Sequence, residues 1–155
     1  MADHYFAVTG SGSGTGADAD NPQTYSTTNF NALKTTVLSG ETIYYLNGDY
    51  NTLPDFQGFN SVTFKSLNVG GAKFYQAKNS GDSLSEAPAW PGVNTEFTLD
   101  GLKFENIRVW INTSSTGQIV NMYRCVFYTT TDLLSSNRGI FRHQGSSSNI
   151  NKVYD

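Results

Sequence analysis

Three acidic side chains are the first candidates for chemistry in this chain. Asp100 and Glu105 flank a short apolar run, and Asp132 follows further along. Glycoside hydrolysis requires two carboxyl groups roughly 5 to 9.5 Å apart, and neighbouring strands of a sheet can hold two carboxylates at such a separation. Two plainer interpretations stay open. Asp100 followed by Gly101 fits an ordinary turn, and Glu105 beside Phe104 fits a side chain that faces solvent.

A cationic group later in the sequence points to a different reaction. Its members are Arg138, Arg142 and His143. Elimination beside a uronate carboxylate needs a base, together with a cation or Ca²⁺ that neutralises the carboxylate. If Arg142 and His143 lie on one strand, their side chains point to opposite faces, and an exposed strand end explains them equally well. We therefore predict no metal site and no cofactor, with Ca²⁺ considered only if the chain is a lyase.

Five aromatic side chains are candidate contacts for sugar rings: Tyr44, Trp90, Trp110, Tyr123 and Tyr128. Aromatic rings present flat apolar faces, and the hydroxyl or indole group adds a hydrogen bond. On a strand, side chains alternate between the two faces, so about half of such residues point into the core instead. Trp90 is the strongest candidate because it stands in a segment without periodicity, and loops carry many binding surfaces.

Composition restricts the classes of protein to which the chain can belong. Only 15% of its 155 residues are charged, and the net charge is −3. The ten Lys and Arg residues are scattered, so we expect no nucleic-acid partner. No stretch approaches the roughly 20 apolar residues of a membrane span, and the first residues lack the pattern of a signal peptide. We therefore expect no membrane insertion. Cys125 is the only cysteine, and it is predicted to be a core residue.

A repeat in the sequence predicts the strands that must position these residues. Leu99, Leu102 and Phe104 recur 23 residues later as Met122, Cys125 and Phe127. Short apolar strands that repeat at such an interval predict a β-solenoid, because each coil must stack on a neighbour to bury its inner face. Ile150 and Val153 match the spacing of Met122 and Cys125 at an offset of 28, which predicts a further coil with a longer loop.

The segment before these coils contains the one predicted helix, at about residues 28–39. Its apolar residues recur at helical spacing, Thr28 or Asn29 can cap its start, and Gly40 can end it. We divide the chain into residues 1–41, which hold a first strand, a glycine-rich turn and this capping helix, and residues 42–155, which hold the coils. The helix would cover the apolar end of the first coil.

Further strands are predicted from alternating or β-branched runs at residues 5–8, 42–46, 61–67 and 72–77. Residues 79–94 contain two prolines and no periodicity, so we predict a long loop inserted between coils. The last coil ends abruptly, and we expect the solenoid to continue beyond residue 155 or to dock on another subunit.

These features together resemble the N-terminal part of the right-handed parallel β-helix proteins of the pectate-lyase-like superfamily. The resemblance is carried by the first strand, the glycine-rich turn at 10–16, the Asp-Asn-Pro at 20–22, the helix, the segment 40–50 and the coil motif at 99–106. It implies an all-β fold, a right-handed parallel β-helix (β-solenoid) with a short capping α-helix. The superfamily includes polysaccharide lyases, glycoside hydrolases, epimerases and phage tailspikes.

The low charge and the missing leader look most similar to a phage tailspike or tail-fibre segment. That resemblance implies a structural, receptor-binding module of the virion tail that presents a face for host surface glycans. Its partners would be bacterial surface polysaccharide and either further copies of the same chain, in a homotrimer, or other phage tail proteins. One alternative is the N-terminal part of an extracellular polysaccharide lyase or glycoside hydrolase. A second is a structural solenoid that stacks on copies of itself.

Overall fold

The strands and the helix follow from a computed structural model, which describes residues 3–89, 91, 95–113, 117–130, 141–145 and 151–154. In chain order the elements are β1 His4–Ala7, β2 Gln23–Thr24, α1 Thr27–Leu33, β3 Thr42–Tyr45, β4 Gly48–Tyr50, β5 Thr63–Ser66, β6 Ala72–Tyr75, β7 Ser85–Ala89, β8 Glu96–Asp100, β9 Lys103–Glu105, β10 Ile107–Thr113, β11 Ile119–Tyr123, β12 Val126–Tyr128, β13 Phe141–Gly145 and β14 Asn151–Tyr154. The described chain is therefore mostly β, with one short helix, as the sequence predicts.

The strands form three sheets in which the paired strands run parallel. The seven-stranded sheet has the order β14-β11-β8-β5-β3-β1-β2, the four-stranded sheet β12-β9-β6-β4, and the three-stranded sheet β13-β10-β7. From β5 onward, successive strands join the seven-, four- and three-stranded sheets in turn. In this later part of the chain, strands that follow one another thus lie in different sheets, and within it each pairs with strands that come three places earlier or later. The first strands β1, β2 and β3 all belong to the seven-stranded sheet.

The 23-residue repeat is confirmed as a pairing register. Leu99 pairs with Met122 in the seven-stranded sheet, and Phe104 pairs with Phe127 in the four-stranded sheet. The proposed equivalence of Val153 with Cys125 is wrong, because Val153 pairs with Met122. Cys125 stands between β11 and β12, outside the ladder. Apolar spacing alone did not distinguish the two registers, which place different residues on the inner face.

The helix is shorter than the predicted 28–39. Ser26 is the N-cap residue, and its hydroxyl accepts a hydrogen bond from the backbone N–H of Asn29. The helix ends at Leu33, where a run of β-branched residues, Thr35 to Val37, follows after one lysine. Such residues have low helix propensity, and the Thr35 hydroxyl hydrogen-bonds a backbone carbonyl at 3.1 Å, which competes with helix continuation.

The segment predicted as a loop at 79–94 contains the strand β7. Its residues Ala87 and Ala89 are fully buried, and Ala87 pairs with Val109 of β10. The alternation of β7 was not recognised as that of a strand because it includes Pro88, and proline is excluded from central strands. β7 stands at the edge of the three-stranded sheet, where proline is tolerated. Trp90 lies outside the described residues.

The core between the sheets is dominated by aromatic rings. Phe74, Phe104 and Phe127 stack along the four-stranded sheet, with ring centroids 5.8 and 4.8 Å apart. Phe30 from the helix is buried against Phe64 and other core rings, so the helix joins the same core. These inward rings leave the alternate positions of each strand on the outer face.

Candidate functional site

The outer face of the four-stranded sheet gathers polar and aromatic side chains in adjacent rows. Phe74 and Phe104 point inward, so their neighbours along β6 and β9 point outward. In one outward row Tyr75 pairs with Glu105, which pairs with Tyr128. In the next row Asp49 pairs with Lys73. We call these five residues, Asp49, Lys73, Tyr75, Glu105 and Tyr128, the Lys73 cluster.

The Lys73 ammonium connects three strands of the sheet. Its Nζ lies 2.9 Å from Oδ2 of Asp49 and 3.3 Å from Oε2 of Glu105. The same Glu105 oxygen accepts a 2.8 Å hydrogen bond from the Tyr128 hydroxyl. Lys73 also lies 5.3 Å from the centroid of the Tyr75 ring, within range of a cation–π contact. The cluster is therefore one connected network of charges, hydroxyl and ring.

Contacts within the cluster and burial shift the pKa of two of its members, Lys73 and Tyr128. The hydrogen bond to Asp49 is the main cause that raises the pKa of Lys73 above its ordinary value; burial opposes the rise and Glu105 adds to it. Burial and then the hydrogen bond to Glu105 raise the pKa of Tyr128. Lys73 accordingly stays positively charged near neutral pH and does not serve as a base. The cluster can donate and accept hydrogen bonds beside two partly exposed rings.

Asp100 belongs to a second network, on the seven-stranded sheet. Arg124 donates hydrogen bonds to the Asp100 carboxylate: Nη2 lies 2.6 Å from both oxygens, and Nε lies 2.9 Å from Oδ1. Lys65 Nζ lies 3.8 Å from Oδ2. Asp100 is only 8% exposed, and two cations hold it. Asp100 and Glu105 thus lie in different sheets and take different cations as partners.

The carboxylate that the structure does bring to Glu105 is Asp49, which the sequence did not connect with Glu105. Both contact Lys73. The alternation of residues 72–77 was a signal that placed Lys73 and Tyr75 on an outer face. No comparable signal connected Asp49 to Lys73, because that contact depends on a pairing register that the sequence does not reveal.

The other predicted site residues are distributed over the chain. Tyr123 pairs with Asp100 on the outward row of the seven-stranded sheet. Trp110 is partly exposed and pairs with Pro88 and, at the backbone level, with Arg142. His143 pairs in the same way with Ile111. The side chains of Arg142 and His143 are not described, and Asp132 lies outside the described residues.

Two kinds of site are not found in the described part of the chain. Among the residues outside the gaps, no group of three or more His, Cys, Asp or Glu side chains is arranged to hold a metal ion. No helix in the described ranges has both the length and the apolar character required to cross a membrane.

Comparison with known proteins supplied no relative. No protein-family model, no curated protein and no solved structure matches this chain.

Proposed function

We propose that this chain is a segment of a right-handed parallel β-helix. Three features support the proposal: the parallel pairing, the order in which strands join the three sheets, and the shared aromatic core. Strands that return parallel to an earlier strand almost always do so by a right-handed crossover. A chain that repeats this crossover through three sheets winds into a solenoid, in which each coil buries its inner face against the next.

The segment presents a face that binds bacterial surface glycan, and the Lys73 cluster carries this proposal. Tyr75 and Tyr128 flank Glu105 in register on an outward row. Rings of this kind pack against the apolar faces of sugars, while Asp49, Glu105 and Lys73 offer the acceptors and donors that hydroxyl groups need. A small number of placed polar groups beside aromatic rings is the usual composition of a ligand site.

The biological setting that we propose is the tail of a phage, where the segment acts as a structural and receptor-binding part of a tailspike. The grounds are the sequence resemblance and the polar, weakly charged composition. In that setting the chain is a homotrimer or binds other tail proteins. Light scattering on the purified protein measures the oligomeric state, and a strictly monomeric protein would contradict the trimer.

A binding assay tests the glycan face. Immobilised protein is exposed to capsular polysaccharide and lipopolysaccharide from a panel of bacteria. Tyr75→Ala should weaken binding about tenfold, the scale of one lost aromatic contact. Tyr44→Ala is the matched control. Tyr44 is a partly exposed tyrosine on the outward face of the seven-stranded sheet, outside the Lys73 cluster, and one face of its ring is covered by Tyr5 at 4.9 Å. Absence of binding to every polymer, or equal loss in both variants, would reject the glycan face.

One observation favours an enzymatic alternative, a glycoside hydrolase. Asp49 and Glu105 both contact Lys73 Nζ, so their bonded oxygens lie within about 6 Å, close to the separation of paired catalytic carboxyls. The same polymers, incubated with the protein, are assayed for new reducing ends. Release that Glu105→Gln abolishes would establish the enzyme; no release from a polymer that binds would leave a binding module.

A further inference from the structure

Lys103 is a cation on the same outer face that the Lys73 cluster does not include. It lies on β9, and its cross-strand neighbours are Lys73 on one side and the exposed Val126 on the other. Within the residues that the structure describes, the Lys103 ammonium takes part in no ion pair or hydrogen bond. Glu105, two residues along the same face, contacts Lys73 and Tyr128 instead.

The position of Lys103 is unfavourable for stability. Like charges directly opposite one another on adjacent strands destabilise a sheet. Lys73 is compensated by two carboxylates, whereas Lys103 has none. Places where a sequence breaks a local rule without compensation are often functional. An anion bound between the strands would turn this repulsion into attraction.

The local backbone makes room for this side chain. Lys103 lies over Gly70, and its Cε is 2.9 Å from the position that a Cβ on that residue would take. Gly70 stands in the turn between β5 and β6 with φ of +73°. A larger residue there would displace the lysine. The end of the Lys103 side chain therefore lies close to the backbone of Gly70.

Among the described residues, the ion pairs on this face leave Lys103 without a carboxylate partner. Lys73 and Lys103 stand beside Asp49 and Glu105, and both of these carboxylates bind Lys73. In the described part of the chain the positive charge of Lys103 is thus unpaired, although the net charge of the chain is −3.

We propose that Lys103 is an anion-binding residue of the glycan face, and that the glycan carries carboxylate, sulfate or phosphate groups. This inference rests on the proposed glycan-binding function and names the class of polymer. An ammonium supplies up to three donors to an anionic oxygen, and such charge-assisted bonds are stronger than those between neutral groups. Tyr75 and Tyr128 contact the sugar rings, and Lys103 selects polymers by charge.

Isothermal titration calorimetry with matched polymers tests the proposal. The acidic probes are a uronate-containing capsular polysaccharide, dextran sulfate and a phosphate-linked teichoic acid, which together distinguish the three anions. The neutral probes are the same capsular polysaccharide after chemical reduction of its carboxylates to alcohols, and plain dextran. The proteins are wild type, Lys103→Gln and Lys78→Gln. Lys78 is the control because it also has no partner among the described residues and lies outside the strands.

We expect wild type and Lys78→Gln to bind at least one acidic polymer about tenfold or more tightly than its neutral counterpart, and Lys103→Gln to lose that preference. The melting temperature of Lys103→Gln should not fall, since the change removes a repulsion. Equal binding of acidic and neutral polymers, or equal behaviour of the two variants, would overturn the role of Lys103 and leave the glycan face intact. Binding to no polymer in either this or the broader panel would overturn both.

Discussion

The hydroxyl of Tyr45 offers the sharpest test of the core. The residue is fully buried, and its ring lies 5.0 Å from that of Phe74 and 5.6 Å from that of Tyr50. Among the described residues its hydroxyl has no hydrogen-bond partner. Tyr50 lies in the same cluster, but its hydroxyl reaches the carbonyls of Phe6 and Leu46 at 3.1 and 2.8 Å. The two tyrosines therefore differ mainly in whether the hydroxyl is paired.

The same substitution should have opposite effects at the two positions. Burying a hydroxyl without a partner costs about 1–3 kcal/mol, so Tyr45→Phe should raise the free energy of unfolding by about 1 kcal/mol after the small void is allowed for. Tyr50→Phe removes a bonded hydroxyl and should lower it by about 1 kcal/mol. The resulting difference of about 2 kcal/mol corresponds to about 4–8 °C in Tm for a chain of this size.

Urea titration followed by circular dichroism measures both variants against wild type, with thermal unfolding as a second readout. The comparison is internal, because both changes remove one oxygen from the same aromatic cluster. If Tyr45→Phe destabilises as much as Tyr50→Phe, then the Tyr45 hydroxyl is paired in solution and the reasoning is refuted.

Three further predictions concern buried groups. Burial raises the pKa of Tyr25, Tyr45 and Tyr50 above the ordinary value. The unfolded chain therefore releases these three protons at lower pH than the folded chain does. The free energy of unfolding is unaffected by them below about pH 10 and falls as pH rises further. Ultraviolet titration should accordingly leave three of the nine tyrosines un-ionised until the protein unfolds, and smooth titration of all nine would contradict the burial. Burial also raises the pKa of the Cys125 thiol to about 11. At pH 8 the smaller thiolate fraction alone should make alkylation by iodoacetamide roughly 200-fold slower in the folded protein than in the protein unfolded in urea. Equal rates would show an accessible thiol. Asn106 is buried with φ of +57°, and its side-chain amide hydrogen-bonds the backbone of two neighbouring loops. Asn106→Gly should lower the free energy of unfolding by about 2 kcal/mol, and Asn106→Ala by about 1 kcal/mol more. Equal losses for the two variants in urea titration would exclude backbone strain.

The sequence was informative about the inner face of the sheets. The 23-residue recurrence from Phe104 to Phe127 is a real pairing, because a residue that must stack on its equivalent in the next round is restricted in type and position. The helix was also found from apolar spacing, which includes the buried Phe30. Its length was overestimated because apolar residues continue to recur at helical spacing after Leu33, where the helix ends; one of them, Leu38, is 65% exposed. Periodicity records apolar spacing and does not record where the backbone stops being helical.

The outer face was less predictable. Glu105 and Tyr128 were chosen separately, for acid chemistry and for ring contact, and the structure joins them through a 2.8 Å hydrogen bond. Their partners Asp49 and Lys73 come from strands far earlier in the chain. Which outward residues meet depends on register, and register was known only where the repeat was evident.

The two faces of the four-stranded sheet are nevertheless linked by geometry. A strand alternates its side chains, so an inward ring at Phe104 determines that Lys103 and Glu105 stand outward on either side of it. The backbone hydrogen bonds of the ladder hold neighbouring strands about 4.8 Å apart, which sets the spacing both of the stacked rings from Phe74 to Phe127 and of Tyr75, Glu105 and Tyr128. Inward positions keep one residue type, phenylalanine, in three successive strands. Outward positions are free of that restriction and vary from lysine to valine and from tyrosine to glutamate. Recognition can therefore change on the outer face without loss of the core that positions it, and in such a chain the site is to be sought beside the repeated residues.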